Sequence, residues 1–254
     1  MPIDVSTALD IPGWMDQTDL YLLGIVASYI PTNSTIIEIG NFWGRSTSAI
    51  ANNLPAGIQI HAVDPWDNNI FSIDVSDAQL ANRLTQYELS DSAIVQNYTI
   101  AKEILANTNA NHYEVFSYFT NKHKNIISYQ MLGEKFTLPA DATAIFLDGD
   151  HSYEGIRADL ARYDIAEHRD KLLFGHDYGI THPGIHKALF HELREHGNRY
   201  LVVLPKSEIW FLVPMSGYWP TVIDKIIKQY MVIARTMSFR RYWDLEDRIK
   251  KIGY

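Results

Sequence analysis

At 254 residues the chain has the length of one large domain and can bury a substantial core. It contains no cysteine, which excludes disulfides, thiolate metal sites and cysteine nucleophiles and fits a reducing, cytoplasmic setting. A formal net charge of −8 argues against nucleic acid or an anionic membrane as partner, since both want clustered Lys and Arg, and leaves small molecules. No apolar run approaches the ~20 residues of a membrane span, and the amino terminus lacks a basic stretch followed by an apolar core.

Asp10 to Trp14 reads as turn-rich, and Thr18 as the cap of a helix through Ile30 that presents Leu20, Leu23, Ala27 and Ile30 on one face before Pro31. Ile36, Ile37 and Ile39 then form the short apolar run expected of a buried parallel strand. Glu38 interrupts it, and a carboxylate there is costly to bury unless something binds it. Gly40 and Gly44 bracket a tight turn, and Ser46, Thr47, Ala49, Ile50, Ala51 and Leu54 follow at helical spacing. Strand, glycine turn and helix make a nucleotide-cradle layout, because glycine admits close backbone approach and a helix start offers unpaired N–H groups. The spacing is neither G-x-G-x-x-G nor a P-loop, since Arg45 follows Gly44 where a P-loop has Lys, and an ordinary strand-to-helix turn is the competing reading.

Gln59 to Val63 is the second strand, closed by Asp64, whose carboxylate either accepts two hydrogen bonds from a vicinal diol or simply starts a turn with Pro65. The polar stretch 67–125 is long for a connection and is expected to contain helices such as Asp77 to Leu89 and Tyr113 to Lys122. Its first part reads as a specificity element, with a purely structural excursion as the alternative. Ile126 to Gln130 and Ala144 to Leu147 are the third and fourth strands, the latter followed by Asp148, Gly149, Asp150 and His151 and by a helix with Tyr153, Ile156, Leu160 and Tyr163 on one face. Lys171 to Gly175 is the fifth strand and ends in His176, Asp177 and Tyr178. Pro183 begins a helix that Gly197 stops, and Tyr200 to Leu204 with Ile209 to Val213 read as a hairpin. The sum is α/β: a doubly wound, seven-stranded sheet over 1–213, with a helical extension over 214–254. That extension opens with Thr221 and Asp224 as a capping box, and its broad apolar face needs its own sheet or a partner subunit, so a homo-oligomer is expected.

Ligands of an open parallel sheet gather beyond the carboxyl ends of its strands, where Glu38, Asp64, Asp148 and Asp177 all fall. If the fourth and fifth strands are neighbours their ends lie ~5 Å apart, and Asp148 and Asp177 can share a divalent cation. A plain β-turn is the alternative for Asp148-Gly149-Asp150. His182 and His186 share a helix face, but no third ligand of comparable spacing is evident. A nucleotide-sugar glycosyltransferase would use Asp148 and Asp150 as a D-x-D metal site but leaves Glu38, Gly40, Gly44 and Asp64 unexplained. An α/β-hydrolase is excluded because Gly44-Arg45-Ser46 lacks the G-x-S-x-G elbow. A non-catalytic small-molecule-binding protein on the same fold stays open.

IIEIGNFWGRST, HAVDPW, and DGDHSYE followed by HDY together resemble the class I S-adenosylmethionine-dependent methyltransferases. The chain is most similar to the subfamily containing sugar and antibiotic O-methyltransferases and cephalosporin-hydroxylase-like proteins, over most of Thr18 to Val213. The resemblance implies a Rossmann-like seven-stranded fold, S-adenosylmethionine as cofactor, and metal-assisted O-methylation of a hydroxyl on a sugar or other small diol. It assigns cofactor binding to Glu38, Gly40, Gly44, Ser46, Thr47 and Asp64, with the glycine turn under the methionine part and Asp64 at the ribose. Asp148, Asp177 and His176 fall on metal-ligand positions for Mg²⁺ or Mn²⁺. The sugar methyltransferases tend to place a second acid at the position of His176, and an imidazole there shifts preference toward Mn²⁺, Fe²⁺ or Zn²⁺, or toward no metal. His151 is the first choice as general base, because imidazole titrates near neutrality, and Asp150 the second. Met131, Leu132, Gly133 and Glu134 replace the relatives' Gly-Asp-Ser-like turn at adenine. An oxidative role like that of the hydroxylase-like relatives lacks a visible iron triad in the sequence.

Overall fold

The apolar run before the glycine turn becomes the middle of the sheet. In the computed structural model, which describes residues 2–67, 93–107, 110–163, 168–179 and 181–237, β1 (Thr35–Ile39) is buried along its whole length. It lies between β2 (Gln59–Asp64) and β4 (Ala142–Leu147). β3 (Ile126–Gln130) pairs with β2 and β5 (Leu172–Gly175) pairs with β4, all of these contacts being parallel. β7 (Trp210–Pro214) runs antiparallel beside β5, and β6 (Arg199–Val203) pairs with β7, giving the seven-stranded order β3-β2-β1-β4-β5-β7-β6.

Alternate residues of each strand serve opposite faces, as a period of two requires. Ile36, Phe146, Phe174 and Phe211 join the core under α2 (Gln17–Ser28), α3 (Arg45–Asn53) and α8 (Trp219–Thr236). Ile37, Ile145, Leu173 and Leu212 join the core under α6 (Tyr153–Tyr163) and α7 (Pro183–His196). The remaining described helices are α1 (Ser6–Asp10), α4 (Ala93–Leu105) and α5 (His112–Thr120).

Of the two expected ways to cover the last helix, the chain uses its own body: Val222, Ile223, Ile226 and Tyr230 of α8 are buried in the same core as α2. The expected capping boxes fall differently. α8 begins at Trp219, so Thr221 lies inside the first turn and its hydroxyl donates to the Tyr218 carbonyl at 2.6 Å. Thr18 likewise lies inside α2. A true box stands ahead of α5, where Asn111 Oδ1 accepts from Tyr113 N at 2.8 Å and Glu114 Oε2 from Asn111 N at 2.7 Å. The short α1, just ahead of the turn-rich Asp10 to Trp14, is fixed from a distance. Arg45 at the start of α3 donates to the carbonyls of Ala8, Leu9, Ile11 and Met15 at 2.5–3.1 Å, meeting the orphan carbonyls where α1 ends. The helix expected at Asp77 to Leu89, much of the proposed specificity element and most of the basic stretch from Arg235 to Lys251 lie outside the described residues. No helix among the described residues is long and apolar enough to cross a membrane.

Register sets the site. Ile39 is level with Val63 on one side and Leu147 on the other, and Leu147 is level with Gly175. The residues that follow, Gly40, Asp64, Asp148 and His176, therefore emerge in one row at the carboxyl edge.

Candidate functional site

The β1–β2 end of that row is closed by its own bonds. Gly40 and Gly44 adopt φ of +87° and +88°, the left-handed region that glycine enters without strain. Their lack of a side chain also serves packing: a Cβ on Gly40 would lie 2.2 Å from Asp148 O, and one on Gly44 2.5 Å from Thr120 Cγ2 of α5. Asp64 is 2% exposed and holds the turn, its Oδ2 accepting from Asn41 N and Phe42 N at 2.7 and 3.0 Å and its Oδ1 from Trp66 N at 2.7 Å. Burial nevertheless raises its pKa, against the pull of those three bonds. Trp66 packs on Phe116 at 4.6 Å and donates through Nε1 to Phe42 O at 2.7 Å. The bonds that HAVDPW suggested for a diol are thus made to backbone in this structure.

Beneath the turn, polar atoms are left over. Glu38 is fully buried; its Oε1 accepts from the Ser46 hydroxyl while Oε2 has no hydrogen-bond partner. Burial pushes its carboxyl up to about 8, the Ser46 bond only partly opposing this. Asn41, 3% exposed, donates from Nδ2 to Thr47 Oγ1 at 3.1 Å and leaves Oδ1 without a partner, as does the buried Ser48 hydroxyl. Buried polar atoms are ordinarily satisfied, so these unmet acceptors fit a ligand that carries hydrogen-bond donors.

The β4–β5 end gathers charge. Asp148 Oδ1 lies 3.5 Å from His151 Nε2 and 3.8 Å from His176 Nδ1. Asp177 Oδ2 lies 3.2 Å from His151 Nδ1 and 3.5 Å from His176 Nδ1, while its Oδ1 lies 3.4 Å from His182 Nδ1. Asp148, His176 and Asp177 form one group with donor atoms all within 4.8 Å, and His151, Asp177 and His182 form another. Donors shared by one tetrahedral or octahedral ion at ~2.1 Å stand about 3.0–3.4 Å apart, so the first group, at 3.5 and 3.8 Å, would draw in by a few tenths of an ångström to hold a divalent cation. Burial works against a charged His151, but the Asp148 bond and the charges of Asp148 and Asp177 outweigh it and push its pKa up to about 9. His176 is raised well above its usual value in the same way, burial being outweighed by its bonds to Asp177 and Asp19. Burial likewise opposes a charged Asp177, but the His176 bond and charge hold its carboxyl below the usual range, whereas burial raises Asp148.

Two of these residues escape a linear reading. Asp19 sits in the first turn of the otherwise apolar α2, is fully buried, and reaches His176 Nε2 with Oδ2 at 3.3 Å. Its Oδ1 accepts from Ser207 Oγ and Glu208 N at 2.7 and 3.1 Å. An acid directly ahead of the apolar run from Leu20 to Ala27 was the available signal. His182 is separated from its expected mate: His186 stacks on Tyr178 at 4.0 Å, whereas His182 turns to Asp177 and meets the His151 ring at 5.1 Å. Two imidazoles and a carboxylate absent as a sequence pattern are therefore present in space. Asp150 goes elsewhere, its exposed side chain accepting from Ser152 N at 2.8 Å ahead of α6, and it belongs to neither donor group.

No family model matches the sequence, and no curated protein matches it at a significant level. Among solved structures, a Corynebacterium glutamicum protein superposes with a TM-score of 0.55 at 11% identity, covering 86% of this chain and 93% of that one. The chain has the class I methyltransferase fold. Similar structures also include a methyltransferase from Geobacter sulfurreducens, with a TM-score of 0.47 at 13% identity over 82% of this chain and 81% of that one. An O-methyltransferase from Bacillus cereus in complex with SAH gives 0.45 at 12% identity, over 84% and 92%. Likeness at such identities establishes a shared fold and leaves the chemistry to the residues.

Proposed function

We propose that the chain is an S-adenosylmethionine-dependent methyltransferase that modifies a hydroxyl of a small diol such as a sugar, assisted by a divalent cation. One contact carries this reading. The glycine turn after β1 lies directly against the turn after β4, with Gly40 touching the backbone of Asp148 and Gly149. A cofactor-type turn and a metal-type donor set thus share a wall, which is the arrangement that sets a methyl donor beside its acceptor.

S-adenosylmethionine supplies a methyl group on a sulfonium, and a divalent cation supplies Lewis acidity that favours the acceptor alkoxide. In this reading Glu38 Oε2 and Asn41 Oδ1 are the acceptors for the donors of the cofactor's methionine end, reached from the turn of Gly40 and Gly44. Ser46 and Thr47 act one step back, by bonding Glu38 and Asn41. Asp64 keeps the turn in shape and has one lone pair on Oδ1 left for a ribose hydroxyl. Asp148, Asp177 and His176 Nδ1 hold the cation, and Asp19 keeps the His176 proton on Nε2 so that Nδ1 is free to ligate. His151 accepts the acceptor's proton at Nε2, whose neighbour is Asp148 Oδ1 at 3.5 Å, while its Nδ1 faces Asp177. Neutralising the two carboxylates would lower its raised pKa toward the range a base needs. Asp150 is the second choice as base, committed as it is to the start of α6.

The test is transfer of a labelled methyl group from S-adenosylmethionine to catechol and to nucleotide sugars. Label should pass to a diol, disappear with EDTA and return with Mn²⁺. No transfer to any diol, together with no binding of S-adenosylhomocysteine, would contradict the proposal.

A further inference from the structure

The donors of the cluster do not all face one point. Asp148, His176 and Asp177 Oδ2 face one point, whereas His182 approaches the other oxygen, Asp177 Oδ1. His151, Asp177 and His182 have donor atoms within 4.8 Å of one another, His151 Nδ1 standing 3.2 Å from Asp177 Oδ2 and His182 Nδ1 3.4 Å from Oδ1, so the carboxylate faces both imidazoles with its two oxygens. These side chains are 33%, 15% and 34% exposed, so an ion can enter from solvent. The position of His182 is built in. Pro183 opens α7 directly after it, which keeps the preceding backbone out of the helical region, His182 standing at φ −125° and ψ 66°. Thr181 Oγ1 stands 3.1 Å from His182 Nδ1, a bond that an ion would replace.

We infer that His151, Asp177 and His182 form a second cation position, bridged by Asp177 to the one formed with Asp148 and His176. Two imidazoles and one carboxylate suit a borderline ion such as Zn²⁺ better than Mg²⁺. The inference goes beyond the methyl-transfer reading and needs that reading only for one consequence. An ion on His151 Nδ1 takes the imidazole's basic lone pair, so His151 cannot then accept a proton. The second ion is therefore inhibitory, and activity would rise and then fall as metal is added.

Metal counting tests the site without any turnover. Chelator-treated protein titrated with Zn²⁺ by calorimetry, with bound metal measured after gel filtration, should take up two equivalents per chain. His182→Ala and, separately, His151→Ala should each take up one, with the affinity of the remaining site within about threefold of the wild type. His186→Ala should keep two, because that ring stacks on Tyr178 outside the cluster. One equivalent in the wild type, or two in both His182→Ala and His151→Ala, overturns the inference. Loss of S-adenosylhomocysteine binding with the metal count intact would sink the methyltransferase reading and leave this site standing.

Discussion

On the β1–β2 side of the carboxyl edge, Asp64 accepts three backbone N–H bonds and the glycines are required by neighbouring backbone and by α5. On the β4–β5 side, Asp148 and Asp177 are met by three imidazoles at 3.2–3.8 Å, and the side chains of the outer members are partly open to solvent. Both sides carry acids at strand ends, yet only the second gathers more charge than the fold itself uses. An acid in a motif can thus shape the turn that displays the ligand, touch the ligand with the lone pairs that the turn leaves, or do both. Hydrogen-bond partners tell the two apart where spacing cannot.

The sharpest way to break that distinction is to remove one acid from each side. Asp64→Ala leaves three buried N–H groups unsatisfied and should cost about 3 kcal/mol or more, read as a fall of roughly 6–12 °C in melting temperature. An unchanged melting temperature would mean that the turn does not depend on it. Asp177→Asn keeps the shape and tolerates the φ of +61° while removing the charge. It should weaken Mn²⁺ binding by about 100-fold with melting changed by no more than about 3 °C. Equal losses of stability in both variants would erase the contrast.

Asp19→Asn asks whether an acid behind the site tunes it. Asparagine can still accept from Ser207 and Glu208, so folding should persist while metal affinity falls about tenfold through a less basic His176. Affinity equal to the wild type would reduce Asp19 to packing. A pH-dependent effect concerns Glu38. The folded protein keeps this carboxyl protonated up to about pH 8, whereas the unfolded chain releases the proton near 4.5, so the native state binds more protons between those values. Its contribution to stability is therefore complete below pH 4.5 and falls as pH rises toward 8. Glu38→Gln should flatten that slope in denaturant midpoints measured across the window, and an unaltered slope would assign it to other groups.

Much of the fold is legible in sequence because its signals are local. Ile36, Ile37 and Ile39 mark the central strand, Pro183 and Gly197 bound α7, and the five apolar runs fall on β1 to β5 within about two residues. What escapes is set at long range. The first helix depends on Arg45, more than thirty residues away, and Asp19 meets His176 across a separation of 157. Asp148, His176 and Asp177 were visible because a turn motif follows each strand. His182 was visible only as half of a helical pair with His186, and the structure sets it instead beside Asp177, which follows β5, and His151. The role of Asp64 was masked in the same way, since a carboxylate after β2 reads alike whether its partners are ribose hydroxyls or the N–H groups of Asn41, Phe42 and Trp66.

The central claim is that unmet acceptors under the glycine turn, set against the acids of β4 and β5, make one methyl-transfer site. Calorimetric titration of S-adenosylhomocysteine into wild type and Glu38→Gln, each with and without Mn²⁺, tests it most directly. The account predicts one equivalent bound by the wild type and binding at least tenfold weaker in Glu38→Gln, since the carboxyl, protonated in the free protein, can release its proton to pair with the ligand's ammonium whereas an amide cannot. No binding by the wild type under either condition, with the protein folded, would contradict it.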